Sequence, residues 1–242
     1  MIWTTTTKTV TTTSVALAAL LALGACGKAG GGQPEAARPV AAAPVTAPAG
    51  RYENDPFHTT LLFRYQHIGL APYVARFGKV SATLAFDPNN PNASSVTAKV
   101  DPASVEADFP GDYAKLSAGG KYRSWTQQLA EDPQILNAKA FPEISFRSTK
   151  VERTGDRTAR ITGDLTFLGQ THPITMDATL TGALKDYPML GGPALGFQAT
   201  GKFKRSDFGM TSFLNPEFIG DQISFEFDGD FRPVGARKPP GM

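Results

Sequence analysis

Alternation of apolar and polar residues in steps of two is the feature that most constrains this chain. In Ile223-Ser-Phe-Glu-Phe-Asp-Gly, Ile223, Phe225 and Phe227 fall on one side and Ser224, Glu226 and Asp228 on the other. Pro173–Gly182 repeats the pattern, with Ile174, Met176, Ala178 and Leu180 set against Thr175, Asp177, Thr179 and Thr181. Successive side chains of a strand point to opposite faces, so period two over this length means a sheet with one dry and one wet face. Less regular stretches of the same kind cover Thr60–Gln66, Lys79–Phe86, Ser95–Val100, Glu143–Val151, Arg157–Phe167 and Leu195–Lys204. Turn-forming runs separate most of them, among them Asp87–Asn92, Thr154–Asp156, Leu168–Gln170 and Gly191–Pro193.

Only the middle of the chain departs from this rhythm. Pro102–Asp108 predicts a short turn of helix, Ser124–Glu131 a helix with Ser124 as its cap and Pro133 as its stop, and Asp132–Ala140 a further turn. The expected fold is all-β: an antiparallel closed β-barrel of about eight strands with a short helical excursion. Closure removes the exposed edges that an open sheet would present. A barrel of this size either fills with its own side chains or encloses one small ligand. The inward positions mix large groups (Phe63, Phe86, Phe146, Phe167, Phe197, Phe225) with small ones (Ala82, Ala98, Ala178, Ala199), which suits either outcome.

The N-terminal fifth of the chain follows other rules. From Met1 to Ala25 the one charge is Lys8, and an apolar run from Val15 leads to the single cysteine, Cys26. Residues 1–25 read as a signal peptide, and the run is shorter than the ~20 residues a spanning helix needs. Leu23-Gly-Ala-Cys26 resembles the bacterial lipobox. That resemblance implies cleavage before Cys26, a lipid on its sulfur, and membrane attachment through the N-terminus. Residues 26–50 form a Gly/Ala/Pro-rich tether whose 24 residues from Gly27 reach up to about 75 Å when extended. The folded domain spans 51–232, and 233–242 form a frayed tail. The expected location is the cell envelope, lipid-anchored; Gly27 in place of an aspartate points to an outer membrane, facing the periplasm.

Composition and spacing argue against most chemistry. The net charge is +2, falling to +1 without Lys8, and no basic block marks a nucleic-acid partner. One cysteine rules out an internal disulfide and a cysteine-built metal centre. His58, His67 and His172 lack the local spacing of a zinc site, and no Gly-x-Ser-x-Gly elbow supplies a nucleophile. No metal, cofactor or enzymatic activity is expected. His172, before Pro173, reads as an exposed turn residue. Arg205 and Asp207 share a face if their segment is a strand, where they either pair or turn inward as a polar handle.

Several segments resemble the YceI family of lipocalin-like barrels associated with polyisoprenoid binding. Tyr52-Glu-Asn-Asp-Pro-Phe-His58 is similar to the family's opening Y-x-x-D-x-x-H, and Leu62–Gly69 with Arg76-Phe-Gly78 follows it. Phe141–Thr149 resembles F-P-x-I-x-F-x-S-T, Gly163–Thr171 resembles G-x-L-T-x-x-G-x-T, and Arg205–Met210 resembles R-x-D-F-G-M. The blocks recur in family order. Upstream of Phe141 the chain departs from the pattern, with Gln128 where the family has a histidine and Ile135-Leu-Asn137 for its F-F-D. The resemblance, with the alternation, implies a lumen lined by Phe63, Tyr65, Phe146, Phe167 and Phe225, with His67 and Arg205 as polar contacts. The implied partner is a polyisoprenoid or other long apolar lipid such as a quinone. The alternative is a packed barrel that docks on an envelope protein.

Overall fold

The computed structural model describes residues 47–188, 190–214 and 218–236. Ten antiparallel strands succeed one another: β1 Gly50–His67, β2 Ala71–Phe77, β3 Val80–Phe86, β4 Ser95–Val100, β5 Val105–Glu106, β6 Ile144–Arg153, β7 Thr158–Phe167, β8 Gln170–Leu184, β9 Ala194–Lys204 and β10 Gln222–Pro233. Their order around the sheet is β10-β9-β8-β7-β6-β4-β3-β1-β2-β5, and pairing of β10 with β1 closes it. The closing seam runs from Tyr52↔Pro233 to Arg64↔Ser224.

Ten strands make eight staves. The first half of β1 pairs with β3 (Tyr52↔Leu84) and the second half with β2 (Phe63↔Ala75), so β2 and β3 form one bent stave. Beside them β4 pairs with β3 and β5 with β2 in the same way. The expected eight-stranded barrel is therefore present. The stretch expected at Thr60–Gln66 is only the second half of β1.

The bend has a local cause. Between Asn54 and Thr59 the register of β1 slips, at Pro56, which has no N–H for the ladder. Asn54 closes the gap with its side chain: Oδ1 accepts from the Ala82 N–H at 2.6 Å, and Nδ2 donates to the Val80 carbonyl at 3.1 Å. Asp55 caps the loop, accepting from the Phe57 N–H and bonding His58 Nδ1, both at 2.9 Å.

Two apolar clusters plug the ends. At the end where β1 begins, Tyr52, Ala82, Leu180, Leu195 and Phe231 pack with Ala47. At the far end, Phe146, Leu165, Phe167, Ile174, Phe208 and Met210 pack beneath Leu129 and Leu136 of the excursion. That excursion contains α1 (Tyr113–Leu116) and α2 (Trp125–Glu131). Ser124 caps α2 as expected, accepting from the Gln127 N–H at 3.0 Å.

Three expectations need correcting. Pro102–Asp108 holds a 3₁₀ turn, Pro102–Ser104, and then β5, because Val105 is drawn beside Phe77. Asp132–Ala140 forms turns rather than helix; Pro133 and the left-handed Asn137 break the ladder. His172 lies within β8 opposite Leu165, half-buried, its ring edge-on to Phe208 with centroids 5.1 Å apart.

Candidate ligand-binding lumen

Strand parity turns Phe63 and Tyr65 of β1, Phe146 of β6, Ile161 of β7, Met176 of β8, Phe197 of β9 and Phe225 and Phe227 of β10 toward the barrel axis. A packed interior leaves such groups no free surface. Yet Phe63, Ile161, Met176, Phe197, Phe225 and Phe227 are only partly buried, although a closed sheet surrounds them. Between its two plugs the barrel therefore encloses unfilled apolar space.

Glycines on the wall explain why large rings leave room. Phe225 pairs across the sheet with Gly201, and a Cβ there would fall 2.5 Å from the Phe225 ring. A Cβ on Gly163 would fall 2.4 Å from the Phe146 ring. Both rings thus turn their tips onto bare backbone instead of projecting to the centre. Polar groups on the inner side are met by the wall itself: Asn54 as above, and Ser148, whose Oγ accepts from the Val96 N–H at 2.9 Å. The lumen suits a ligand with little polarity along its length.

Aromatic rings continue from this space toward the surface. Phe63 stacks on Phe77 with centroids 5.1 Å apart, and Tyr65 on Tyr73 at 5.3 Å. Tyr73 meets Trp125 at 6.4 Å, Trp125 meets Tyr113 at 5.7 Å, and Tyr113 meets the partly exposed Phe109 at 5.0 Å. Burial, reinforced by Tyr73, pushes the Tyr65 phenol well above its ordinary value, while Arg205 pulls the other way; Tyr65 stays a neutral hydroxyl. Gln128, where the family pattern has a histidine, accepts from the Tyr113 hydroxyl and donates to Asp132 at 3.2 Å.

The sequence-predicted residues separate into three groups. Phe63, Tyr65 and Phe225 come together on the inner wall, with Phe146 beside them where the wall meets the far plug. Phe167 belongs to the far plug, edge-on to Phe208 at 5.7 Å and to Phe203 at 6.0 Å. His67 ends β1 at the exposed rim, bridged to Ile219. Arg205 opens a 3₁₀ turn, Arg205–Phe208, rather than sitting on a strand. Its buried guanidinium donates to the carbonyls of Gly220 at 3.0 Å, Met210 at 3.0 Å and Ile219 at 2.8 Å. It clamps the loop after that turn. Cys26 lies outside the described residues. Unforeseen contributors are Gly163, Gly201, Tyr73 and Trp125; their roles depend on cross-strand register and on the packing of α2.

A YceI-like domain model matches residues 52–231, spanning the barrel from its first plug residue to its last. Protein YceI of Salmonella arizonae is 33% identical over 159 residues, covering 66% of this chain and 74% of that protein. Among solved structures, BcnA of Burkholderia cenocepacia superposes with a TM-score of 0.60 at 19% identity, over 73% of this chain and 98% of that one. A polyisoprenoid binding domain from Saccharophagus degradans, implicated in plant cell wall breakdown, gives 0.51 at 10% identity, over 75% and 98%. At such identities the two structures speak for the fold alone. The domain match and the YceI relatives establish descent: the chain belongs to the YceI-like family.

Proposed function

We propose that this protein is an envelope lipoprotein that holds a long apolar lipid, polyisoprenoid or quinone-like, inside its barrel. The observation that carries the reading is the unfilled lumen between the plugs, lined by partly buried apolar groups, with the Phe225 ring turned onto Gly201. Each methylene moved from water into such a space contributes about 0.8 kcal/mol, so a long chain binds tightly with few polar contacts. The Saccharophagus domain, named for polyisoprenoid binding, supports this ligand class. The lipobox-like Leu23–Cys26 and the tether after it support an anchored carrier. Binding, not catalysis, is the proposed activity.

Native mass spectrometry of the full-length protein purified from a bacterial envelope tests this. A discrete adduct of several hundred daltons, extractable into organic solvent, is the expected result. An adduct-free mass, together with no uptake when isoprenoids and quinones are offered, overturns the carrier and leaves a barrel that docks on an envelope protein.

A further inference from the structure

The far rim of the barrel displays apolar side chains that the fold holds outward under strain. Leu70, in the turn between β1 and β2, is 84% exposed, and Ile68 beside it is 48% exposed. Ile68 stands at φ 52°, a left-handed conformation that a β-branched residue adopts only when its surroundings impose it. The imposing contact is visible: the Ile68 N–H donates to the Phe218 carbonyl at 2.8 Å, and the Gly220 N–H donates to the Gln66 carbonyl at 2.8 Å. These bonds lock the turn to the loop that Arg205 clamps. Phe218 and Phe213 of that loop are about half exposed, and Phe213 is itself left-handed at φ 60°. Gln66–Ala75 contains no Asp, Glu, Lys or Arg, and Gly209–Gly220 contains one, Glu217.

We infer that Ile68, Leu70, Phe213 and Phe218 form a ridge that enters the surface of a lipid bilayer. Clustered exposed apolar groups in a setting with a single charged residue match the acyl boundary of a membrane, which rewards burial without directional partners. The position of the chain's attachment favours a bilayer as the occupant. The tether joins at the opposite end, where Ala47 is buried among the plug residues and Tyr52 donates to the Pro48 carbonyl at 2.7 Å. The barrel is roughly 30 Å tall for strands of this length and ordinary tilt. The part of the tether before Ala47, Gly27–Thr46, reaches about 60 Å at ~3.1 Å per residue when extended and spans that height about twice, so a domain anchored by one end can set its other end on the same membrane. The aromatic series from Tyr65 to Phe109 leaves the lumen at this end too, which places cargo and bilayer on one side. The inference draws on the anchored-carrier reading for where the membrane is, and its test reads the anchor separately from the ridge.

The full-length protein is reconstituted in neutral phosphatidylcholine vesicles with a nitroxide on Leu70→Cys or Phe218→Cys, and with Leu184→Cys at the opposite end as reference. A lipidated Cys26 has no free thiol, so the introduced cysteine takes the label. The expected result is that labels at 70 and 218 relax at least several-fold faster with oxygen than with a water-soluble nickel chelate, and that label 184 shows the reverse. Labels at 70 and 218 as open to the chelate as label 184 overturn the ridge. Immobilisation at 70 or 218 only when envelope proteins are added also overturns it, in favour of a protein partner. Labelling of the unsubstituted chain would show Cys26 unmodified and the anchor wrong; the ridge is then read in a Cys26→Ser background.

Discussion

At the scale of single residues, the interior depends on what is missing from two positions. Gly201 and Gly163 give up side chains so that Phe225 and Phe146 can lie against the wall. A Cβ on Gly163 would also meet the Arg147 carbonyl at 2.4 Å, so substitution there disturbs the sheet. Around Gly201 the nearest atoms are those of the Phe225 ring, which can give way, and Met176 Cβ lies next at 3.2 Å. Gly201→Val should therefore fold, at a cost of about 1–3 kcal/mol for the overfilled wall. It should tip the Phe225 ring into the lumen and cut uptake of a fluorescent isoprenoid by about tenfold, the equivalent of ~1.4 kcal/mol. Titration beside a thermal melt checks this; unchanged uptake in a folded variant would mean that the ligand avoids the space beside Phe225.

At the scale of elements, β1 carries the design of the barrel. It is eighteen residues long and serves two partners on one flank only because its ladder breaks at Pro56. Asn54→Ala removes the acceptor of the Ala82 N–H and the donor to the Val80 carbonyl. Leaving such groups unmet inside the sheet costs about 1–3 kcal/mol, which for a domain of this size is a Tm lower by roughly 3–10 °C in calorimetry. The same bulge carries a small pH dependence. The hydrogen bond His58 donates to Asp55 raises its pKa above the ordinary 6.5, with burial opposing and Asp230 adding to the rise. The folded state thus favours the imidazolium. The stabilisation is fully present below pH 6.5 and is lost as pH climbs through the higher folded value. His58 is more than half exposed, so the effect is on the order of 1 °C in Tm. Melts at pH 5.5 and pH 8.5 should show this loss in the parent chain and not in His58→Gln.

At the scale of the whole molecule, alternation announces the barrel because each stave has one wet face and one dry one. Five of the staves, β6 to β10, were legible in this way, and half of each of the other three. β2 was not: Ala71-Pro-Tyr-Val-Ala-Arg-Phe interrupts itself with Pro72 and sets alanine at the inward position Ala75. β5, two residues long, is made by its neighbour rather than by its own pattern. The site was legible in part for the same reason. Parity picks out Phe63, Tyr65, Phe146 and Phe225 as inward. Whether their rings fill the centre depends on which residue faces each across the sheet, and register is not written in one strand alone. Arg205 illustrates the limit from the other side. Its three carbonyl partners come from the loop it fastens, and local spacing to Asp207 gives no sign of them.

Pairing of β1 with β10 also sets a schedule. The first strand to be made has the last along one of its two edges. Contacts this distant in sequence are the slowest to form, because the whole intervening loop must be ordered before they repay the cost. Until β10 arrives, β1 offers an unpaired edge to any extended chain nearby, and the cylinder has neither an inside nor an outside. A chain of this topology must stay uncommitted until its final strand is free, and a stop before Gln222 leaves an open sheet that no rearrangement of the other strands can shut.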